Sequence, residues 1–154
     1  MRHVLLAAAC MLTGCTTPYA PAGLLFGGYS ETRLAADSYK VFAEAESTER
    51  AGMMLDLRAA ELTLAAGYQK FAVADRNVRL ESRTNYIPGN SYTVPTGGSM
   101  GGVRWVQTPG RTETVNFGKG EMTIRMMKAS DAGAAKAVDA TATRARLEPL
   151  LKGG

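Results

Sequence analysis

One short stretch near the first residues of the chain has the types and spacing that could do chemistry: Leu12-Thr13-Gly14-Cys15. An aliphatic residue and two small residues stand directly before a cysteine, whose thiolate is nucleophilic enough to form a thioether. Small residues at this point let the backbone enter a protease groove. The stretch follows Arg2 and the apolar run 4–12, so residues 1–14 have the pattern of a secretory signal peptide. The run is too short to span a bilayer, which takes about 20 apolar residues.

This order of residues resembles the lipobox of bacterial lipoproteins. The resemblance implies that the Cys15 thiol is alkylated with diacylglycerol, that the chain is cut before Cys15, and that the new amine is acylated. Two or three acyl chains, at about 0.8 kcal/mol per buried CH₂, form a durable anchor. The other interpretation is an ordinary signal peptide with a chance cysteine. Thr16 follows the cysteine, and by the same resemblance the outer membrane, on its periplasmic face, is favoured over the inner one.

Composition limits the chemistry of the mature chain. Removal of residues 1–14 from 154 leaves 140, enough for one domain with a core. The one histidine, His3, and one of the two cysteines, Cys10, lie in the signal. The remainder lacks the groups for a Ser-His-Asp triad, a disulfide or a cysteine metal site, so we predict no enzyme, no cofactor and no metal. The net charge of +4 falls to +3 and is scattered, so no nucleic-acid partner is predicted.

Residues 15–26 are predicted to be the lipidated cysteine and a flexible tether. They contain Pro18, Pro21 and Gly23 and show little hydrophobic periodicity. A single domain is predicted to follow over residues 27–152.

The domain opens with the segment Gly28-Tyr29-Ser30-Glu31-Thr32-Arg33-Leu34. This segment is similar to one shared by a family of small, uncharacterised proteobacterial lipoproteins. The similarity continues through residues 39–41, 58–64, 67–68 and 71–73. Members of the family have no assigned activity, so the resemblance implies a fold and a location and no reaction.

Alternating polarity over residues 38–46 predicts a strand. Ser47 or Thr48 is predicted to cap a helix that ends before Gly67. Its predicted buried stripe consists of Met53, Leu57, Ala60 and Leu64. A second strand is predicted over 71–80, and a switch of parity near 75–77 indicates a bulge. Strand, helix and strand in succession predict a parallel pair with a right-handed crossover.

The rest of the chain is predicted as a loop or hairpin tip over 85–102, a strand over 103–107, a hairpin of 112–117 with 121–127, and a helix over 132–148. The hairpin is predicted to turn at Gly118-Lys119-Gly120 and to bury Met122, Ile124 and Met126. Pro149 is predicted to end or kink the last helix. The predicted fold is a two-layer α+β domain: a mixed sheet of about five strands, two helices on one face, in the order β-α-β-β-β-β-α.

Two groups of side chains are candidate binding surfaces. Tyr86, Tyr92 and Trp105 lie in or beside the 85–102 segment, where aromatic residues suit a partner or a sugar. Alternatively, Trp105 belongs to the core and the tyrosines cover its rim. Tyr29, Glu31 and Arg33 precede the first predicted strand, and they either contact a partner or hydrogen-bond locally.

Other candidate sites are weaker. The glycines of 97–102 lack the lysine and hydroxyl of a phosphate-binding loop. The carboxylates show no spacing that pairs two of them, which makes a carboxylate enzyme the least favoured hypothesis. We therefore expect a non-catalytic scaffold or sensor of the cell envelope, with the bilayer and an envelope protein as partners. The alternative is a small-ligand or glycan binder that uses residues 85–102.

Overall fold

The computed structural model describes residues 17–23, 27–96 and 102–153. Within these ranges the chain forms seven strands and two helices. In chain order they are β1 (Gly28–Ala35), β2 (Ser38–Ala45), α1 (Thr48–Ala65), β3 (Lys70–Ile87), β4 (Asn90–Thr96), β5 (Gly102–Thr108), β6 (Arg111–Met127), β7 (Val138–Asp139) and α2 (Ala140–Lys152). A short 3-10 turn, Ala134–Lys136, precedes β7.

Five strands form one sheet in the order β1-β2-β6-β3-β7, and β4 pairs with β5 in a separate two-stranded sheet. Each neighbouring pair is antiparallel. α1 packs on the sheet and α2 packs on α1. The predicted two-layer α+β fold, with a five-stranded sheet and two helices, is confirmed. The described sheet is antiparallel where a mixed one is predicted, and the predicted order lacks β1 and β7.

The core lies between the sheet and α1. The inward residues of β2 are Val41, Ala43 and Ala45, and those of β6 are Met122, Ile124 and Met126, as their alternation predicts. The Ser47 hydroxyl accepts a hydrogen bond from the Arg50 N–H at 3.1 Å, so the predicted N-cap is confirmed.

Burial on α1 is wider than the predicted stripe. Leu57 is buried as expected, but Met53 and Leu64 are only partly buried, while Met54 and Leu55 are fully buried. The reason is that α1 is covered on two sides, by the sheet and by α2.

The predicted parallel pair of β2 and β3 is wrong. The two strands run in the same direction, but β6 lies between them and is antiparallel to both. β3 and β6 pair along their whole length, from Lys70↔Met127 to Ile87↔Arg111. A strand–helix–strand unit by itself would place β2 directly beside β3. Here β6 returns antiparallel to β3 and takes that position instead.

The predicted turn at Gly118-Lys119-Gly120 is also wrong, because these residues lie inside β6. Their glycines serve packing instead. A Cβ on Gly118 would overlap the backbone carbonyl of Ser47, and one on Gly120 would lie 2.7 Å from a methyl group of Leu55. Glycine in a strand interior often marks a place where another element approaches closely.

The second helix begins eight residues later than predicted, at Ala140 rather than 132. The Asp139 carboxylate accepts a hydrogen bond from the Ala142 N–H at 2.8 Å and caps it. Pro149 lies inside the helix and does not end it. The buried residues of this helix are Ala140, Thr143, Leu147 and Leu151.

β3 contains the bulge that its parity predicts. The register shifts between Val73 and Asp75, so Arg76 falls on the helix side of the sheet. There its guanidinium pairs with the Asp56 carboxylate and donates to the Gly52 carbonyl of α1 at 3.3 Å. The bulge therefore fastens the middle of β3 to the helix.

Beyond Leu80 and Gly118, β3 and β6 leave the sheet as a two-stranded ribbon. Pro88-Gly89 connects β3 to β4, and Pro109-Gly110 connects β5 to β6, so β4 and β5 form a second ribbon beyond the first. We call the described residues 81–96 and 102–117 the arm, and residues 27–80 and 118–153 the body. The segment 85–102 is predicted as a long loop or the mobile tip of a hairpin, but its described residues are mostly strand, in β3 and β4, so the prediction is wrong for them. Pro88 and Gly89 interrupt the strands only at the connection between β3 and β4.

Candidate functional site

The segment that follows Cys15 lies on the body. The Thr17 N–H donates to the Glu46 carboxylate at 3.0 Å, and the Glu46 N–H donates to the Thr17 hydroxyl at 3.2 Å. The Arg50 guanidinium donates to the Thr17 carbonyl at 2.9 Å. A flexible tether is predicted here from composition, but three hydrogen bonds hold its Thr17 at the junction of β2 and α1.

The same segment continues along the start of β1. The Tyr29 N–H donates to the Ala20 carbonyl at 3.0 Å, and the Ala22 N–H donates to the Tyr29 carbonyl at 2.7 Å. Gly28 has a φ of +143°, and a Cβ there would lie 2.6 Å from the Ala20 oxygen. Glycine is therefore required for this contact.

A cluster of six side chains, which we call the clasp, joins this segment to three elements of the body. Its members are Tyr19, Tyr29, Glu31, Arg58, Glu61 and Lys152. Glu61 lies at the centre, since its two oxygens accept hydrogen bonds from the Tyr19 hydroxyl and the Lys152 ammonium, each at 2.6 Å.

Arg58 links the two halves of the clasp. Its guanidinium donates to both oxygens of Glu31, at 2.6 and 3.1 Å, and to Glu61 at 3.1 Å. The same group stacks 4.6 Å from the centre of the Tyr29 ring, whose centre is 4.6 Å from that of Tyr19. A planar guanidinium suits this combination of forked pairing and stacking.

The contacts within the clasp shift the pKa values of three of its side chains away from neutral pH. Burial alone would raise the pKa of Glu61, but hydrogen bonds from Lys152, Tyr19 and Arg58 lower it below its usual value. Burial and the bond to Glu61 raise the pKa of Tyr19. The bond to Glu31 raises the pKa of Arg58. None of these shifts brings a group toward neutral pH, so the arrangement suits fastening rather than proton transfer.

The structure brings together only some of the predicted candidates. Tyr29 and Glu31 belong to the clasp, where both contact the guanidinium group of Arg58. Arg33 donates instead to backbone carbonyls of the β1–β2 turn, at 3.1 and 3.3 Å. The lipobox residues Leu12, Thr13, Gly14 and Cys15 lie outside the described residues.

Sequence reasoning missed the roles of Tyr19 and Lys152. Tyr19 is 42 positions from Glu61 and Lys152 is 91 positions away. No local pattern links residues so far apart. Tyr19 lies close to prolines and a glycine in the sequence, and flexible linkers have the same composition, so its segment is predicted to be a tether.

The aromatic candidates of the arm do not form one patch. Tyr86, Tyr92 and Trp105 are 69, 52 and 72% exposed, so the interpretation of Trp105 as core is wrong. Trp105 pairs with Thr93, the residue after Tyr92. Because successive side chains of a strand point to opposite faces, Tyr92 and Trp105 lie on opposite faces of the ribbon.

Tyr86 lies in a groove of about 480 Å³ at the joint between the two ribbons of the arm. The other lining residues are mostly small or polar: Gly89, Asn90, Ser91, Gln107, Thr108, Pro109 and Gly110. An aromatic ring beside amides and hydroxyls is able to hold a small polar ligand.

No family model, no curated protein and no solved structure matches the chain. The resemblance to small proteobacterial lipoproteins therefore stays a prediction. Across residues 17–23, 27–96 and 102–153, no helix is long and apolar enough to cross a membrane. The same residues contain no group of three or more histidine, cysteine or acidic side chains that could hold a metal ion.

Proposed function

We propose that this chain is a non-catalytic lipoprotein of the bacterial cell envelope, anchored through acylated Cys15 at the periplasmic face of the outer membrane. It acts as a scaffold or sensor through contacts with an envelope protein. The observation that carries the proposal is the docking of residues 17–22 on the body. A lipid on Cys15 is thereby coupled to the folded domain.

The coupling is short. Cys15 lies two residues before Thr17, so the two Cα atoms are at most about 7 Å apart. Thr17 is fixed at the β2–α1 junction, and Tyr19 is fixed in the clasp. A domain held in this way meets its partner in a limited range of orientations, which reduces the entropy lost on binding.

Two measurements test the proposal. Mass spectrometry of the N-terminal peptide from membranes should find diacylglycerol and an acyl chain on Cys15. Crosslinking in cells, followed by purification, should recover a distinct envelope protein with the wild-type chain and lose it with Cys15→Ser. Equal recovery with Cys15→Ser would contradict the anchored scaffold, as would an unmodified thiol.

A matched pair of variants tests the docking itself. Tyr19→Ala removes the bond to Glu61 and the ring against Tyr29, while the exposed neighbour Pro18→Ala removes neither. Partner recovery should fall with Tyr19→Ala and stay at the wild-type level with Pro18→Ala. If the two variants recover the partner equally, docking of residues 17–22 on the body does not contribute to partner binding.

The groove at the arm joint favours one second candidate, a small-ligand or glycan binder. Titration of soluble envelope oligosaccharides should shift NMR resonances of the groove. Tyr86→Ala should abolish these shifts, whereas Tyr92→Ala and Trp105→Ala, which do not line the groove, should leave them. Shifts that survive Tyr86→Ala would remove the groove from consideration.

A further inference from the structure

The arm leaves the body at the end where the lipid anchor is expected. β2 ends at Ala45, which pairs with Gly118, and Gly118 pairs with Leu80. Past this line, among the described residues, only β3 and β6 continue from the sheet. Glu46, the next residue after β2, holds Thr17, which lies two residues from Cys15. The root of the arm and the expected lipid anchor are therefore at the same end of the body.

This placement brings the arm to the membrane. Cys15 is within about 7 Å of Thr17, so an acylated chain keeps this end of the body at the headgroups. From Leu80 to Thr96 the ribbon extends up to about 50 Å, at about 3.3 Å per residue. An arm of that length, which starts at the bilayer surface, is able to contact lipid headgroups along much of its length.

The far part of the arm has a face that suits lipid headgroups. Pro95 pairs with Val103, and Trp105 lies two positions along the same strand, so the three side chains share one face. All three are exposed, Val103 by 63% and Trp105 by 72%. Tryptophan is enriched at the membrane–water interface, where its ring is both apolar and able to donate a hydrogen bond.

The arm is suited to the interface and not to the hydrocarbon core. In the described part of the chain, no strand pairs with the outer edges of its ribbons. Unpaired backbone groups are too costly in hydrocarbon but are satisfied by water and headgroups. Arg83, Arg104 and Arg111 outnumber Glu81 and Glu113 along the arm, and the resulting charge of +1 favours an anionic lipid surface, although Arg104 itself lies on the face opposite Val103 and Trp105.

We propose that the arm docks on the phospholipid bilayer that anchors Cys15, with Val103 and Trp105 inserted among the headgroups. The inference rests on the proposed acylation, which brings the arm to a membrane. It assigns to the arm a lipid surface as its partner.

The test uses the mature chain, residues 15–154, in which Cys15 is the one thiol and Trp105 the one tryptophan. The thiol is coupled to a maleimide lipid in vesicles of phosphatidylethanolamine and phosphatidylglycerol. Coupling should shift the Trp105 emission to the blue, protect it from iodide, and expose it to quenching by brominated acyl chains. Emission that stays as accessible to iodide as in the uncoupled chain would overturn the proposal.

A matched pair of substitutions tests whether the arm face is responsible. Val103→Glu places a charge beside Trp105, while Val138→Glu places the same charge on an exposed valine of β7 in the body. The first should reverse most of the blue shift and the second should not. Equal effects, with circular dichroism showing both variants folded, would contradict insertion of the arm.

Two further outcomes are distinguishable. A blue shift that grows with the density of protein on the vesicle, without quenching by brominated lipid, would assign the face to a second copy and overturn the lipid proposal. Chemical coupling also separates this inference from the proposed function. If mass spectrometry finds Cys15 unmodified in cells, the anchored function fails even where coupled vesicles still quench Trp105.

Discussion

The body and the arm share the strands β3 and β6 but differ in what covers them. In the body, Phe71 of β3 is 1% exposed because α1 and the neighbouring strands enclose it. Farther along the same strand and face, Leu80 is 62% exposed. The hydrogen-bonded ladder is continuous through both regions. Because an isolated two-stranded ribbon is marginally stable in water, we expect the ladder of the arm to contribute much less stability than the covered ladder of the body.

The two regions also differ in pattern. In the body, β2 and the inner half of β6 keep buried, apolar or small residues on the helix side and mostly polar residues on the other. The arm mixes apolar and polar residues on both faces, with Thr93 and Val103 on one and Val94 and Arg104 on the other. We therefore expect the free energy of folding to reside in the body.

The largest contrast is expected from a matched pair of leucines. Leu57→Ala empties a fully buried position in α1 and should lower the free energy of unfolding by about 2–5 kcal/mol. Leu80→Ala, at the root of the arm, should lower it by less than about 0.5 kcal/mol. Urea unfolding followed by circular dichroism measures both, and similar losses would show that the arm root is part of the core.

A matched pair of glycines is expected to show the next largest effect. A methyl group on Gly118 would overlap the backbone of Ser47, so Gly118→Ala should cost about 1–3 kcal/mol. A methyl group on Gly110 would meet the ring of Tyr86, an exposed side chain that is able to move. Gly110→Ala should therefore cost clearly less in urea unfolding. A larger loss for Gly110→Ala would indicate a rigid arm.

The clasp is expected to contribute a smaller, pH-dependent amount. Glu61 is 16% exposed, and Glu61→Gln should lower the free energy of unfolding by about 1–2 kcal/mol at neutral pH. Because the folded state lowers the pKa of Glu61, its contribution is present above about pH 4.3 and is lost as pH falls through the folded pKa.

The difference between the wild type and Glu61→Gln should therefore shrink in acid. Urea unfolding at pH 7, 5 and 3 measures it. Glu148→Gln is a suitable control, because Glu148 also binds Lys152 but not Tyr19 or Arg58, and it should have a smaller effect. A difference that does not change with pH would mean that the charge of Glu61 is not responsible.

The smallest effect on the body is expected from removing the arm. Leu80 and Gly118 are paired, so an Asn-Gly turn can join them in place of residues 81–117. The free energy of unfolding should change by less than about 1 kcal/mol, because little buried apolar surface is lost. Circular dichroism and urea unfolding check this. A shortened chain that does not fold would show that the arm supports the body.

The elements with a strong local pattern could be predicted from the sequence. β2 and the inner half of β6 alternate cleanly, and the Ser47 cap and Gly67 bound α1. The bulge near Val73 followed from parity alone. The anchor residues Leu12 to Cys15 lie outside the described part of the chain, and that prediction stays open.

What could not be predicted depends on contacts between distant residues. The glycines 118 and 120 signalled a turn, and only the approach of α1 explains them as packing sites. The position of β6 between β2 and β3 has no local signature. The clasp likewise joins Tyr19 to Lys152 through Glu61. No motif around any of these three residues indicates that they are in contact.

The bulge between Val73 and Asp75 also gives β3 one residue that has no counterpart in β6. Residues on both sides of the bulge keep their partners in β6, so Phe71 and Leu80 share a face although they are nine positions apart. During evolution, this extra residue could be lost without turning the arm over, because every later pair of the ladder would stay the same. Loss of one residue elsewhere in either strand would instead require a new bulge or move the side chains of that strand to the opposite face.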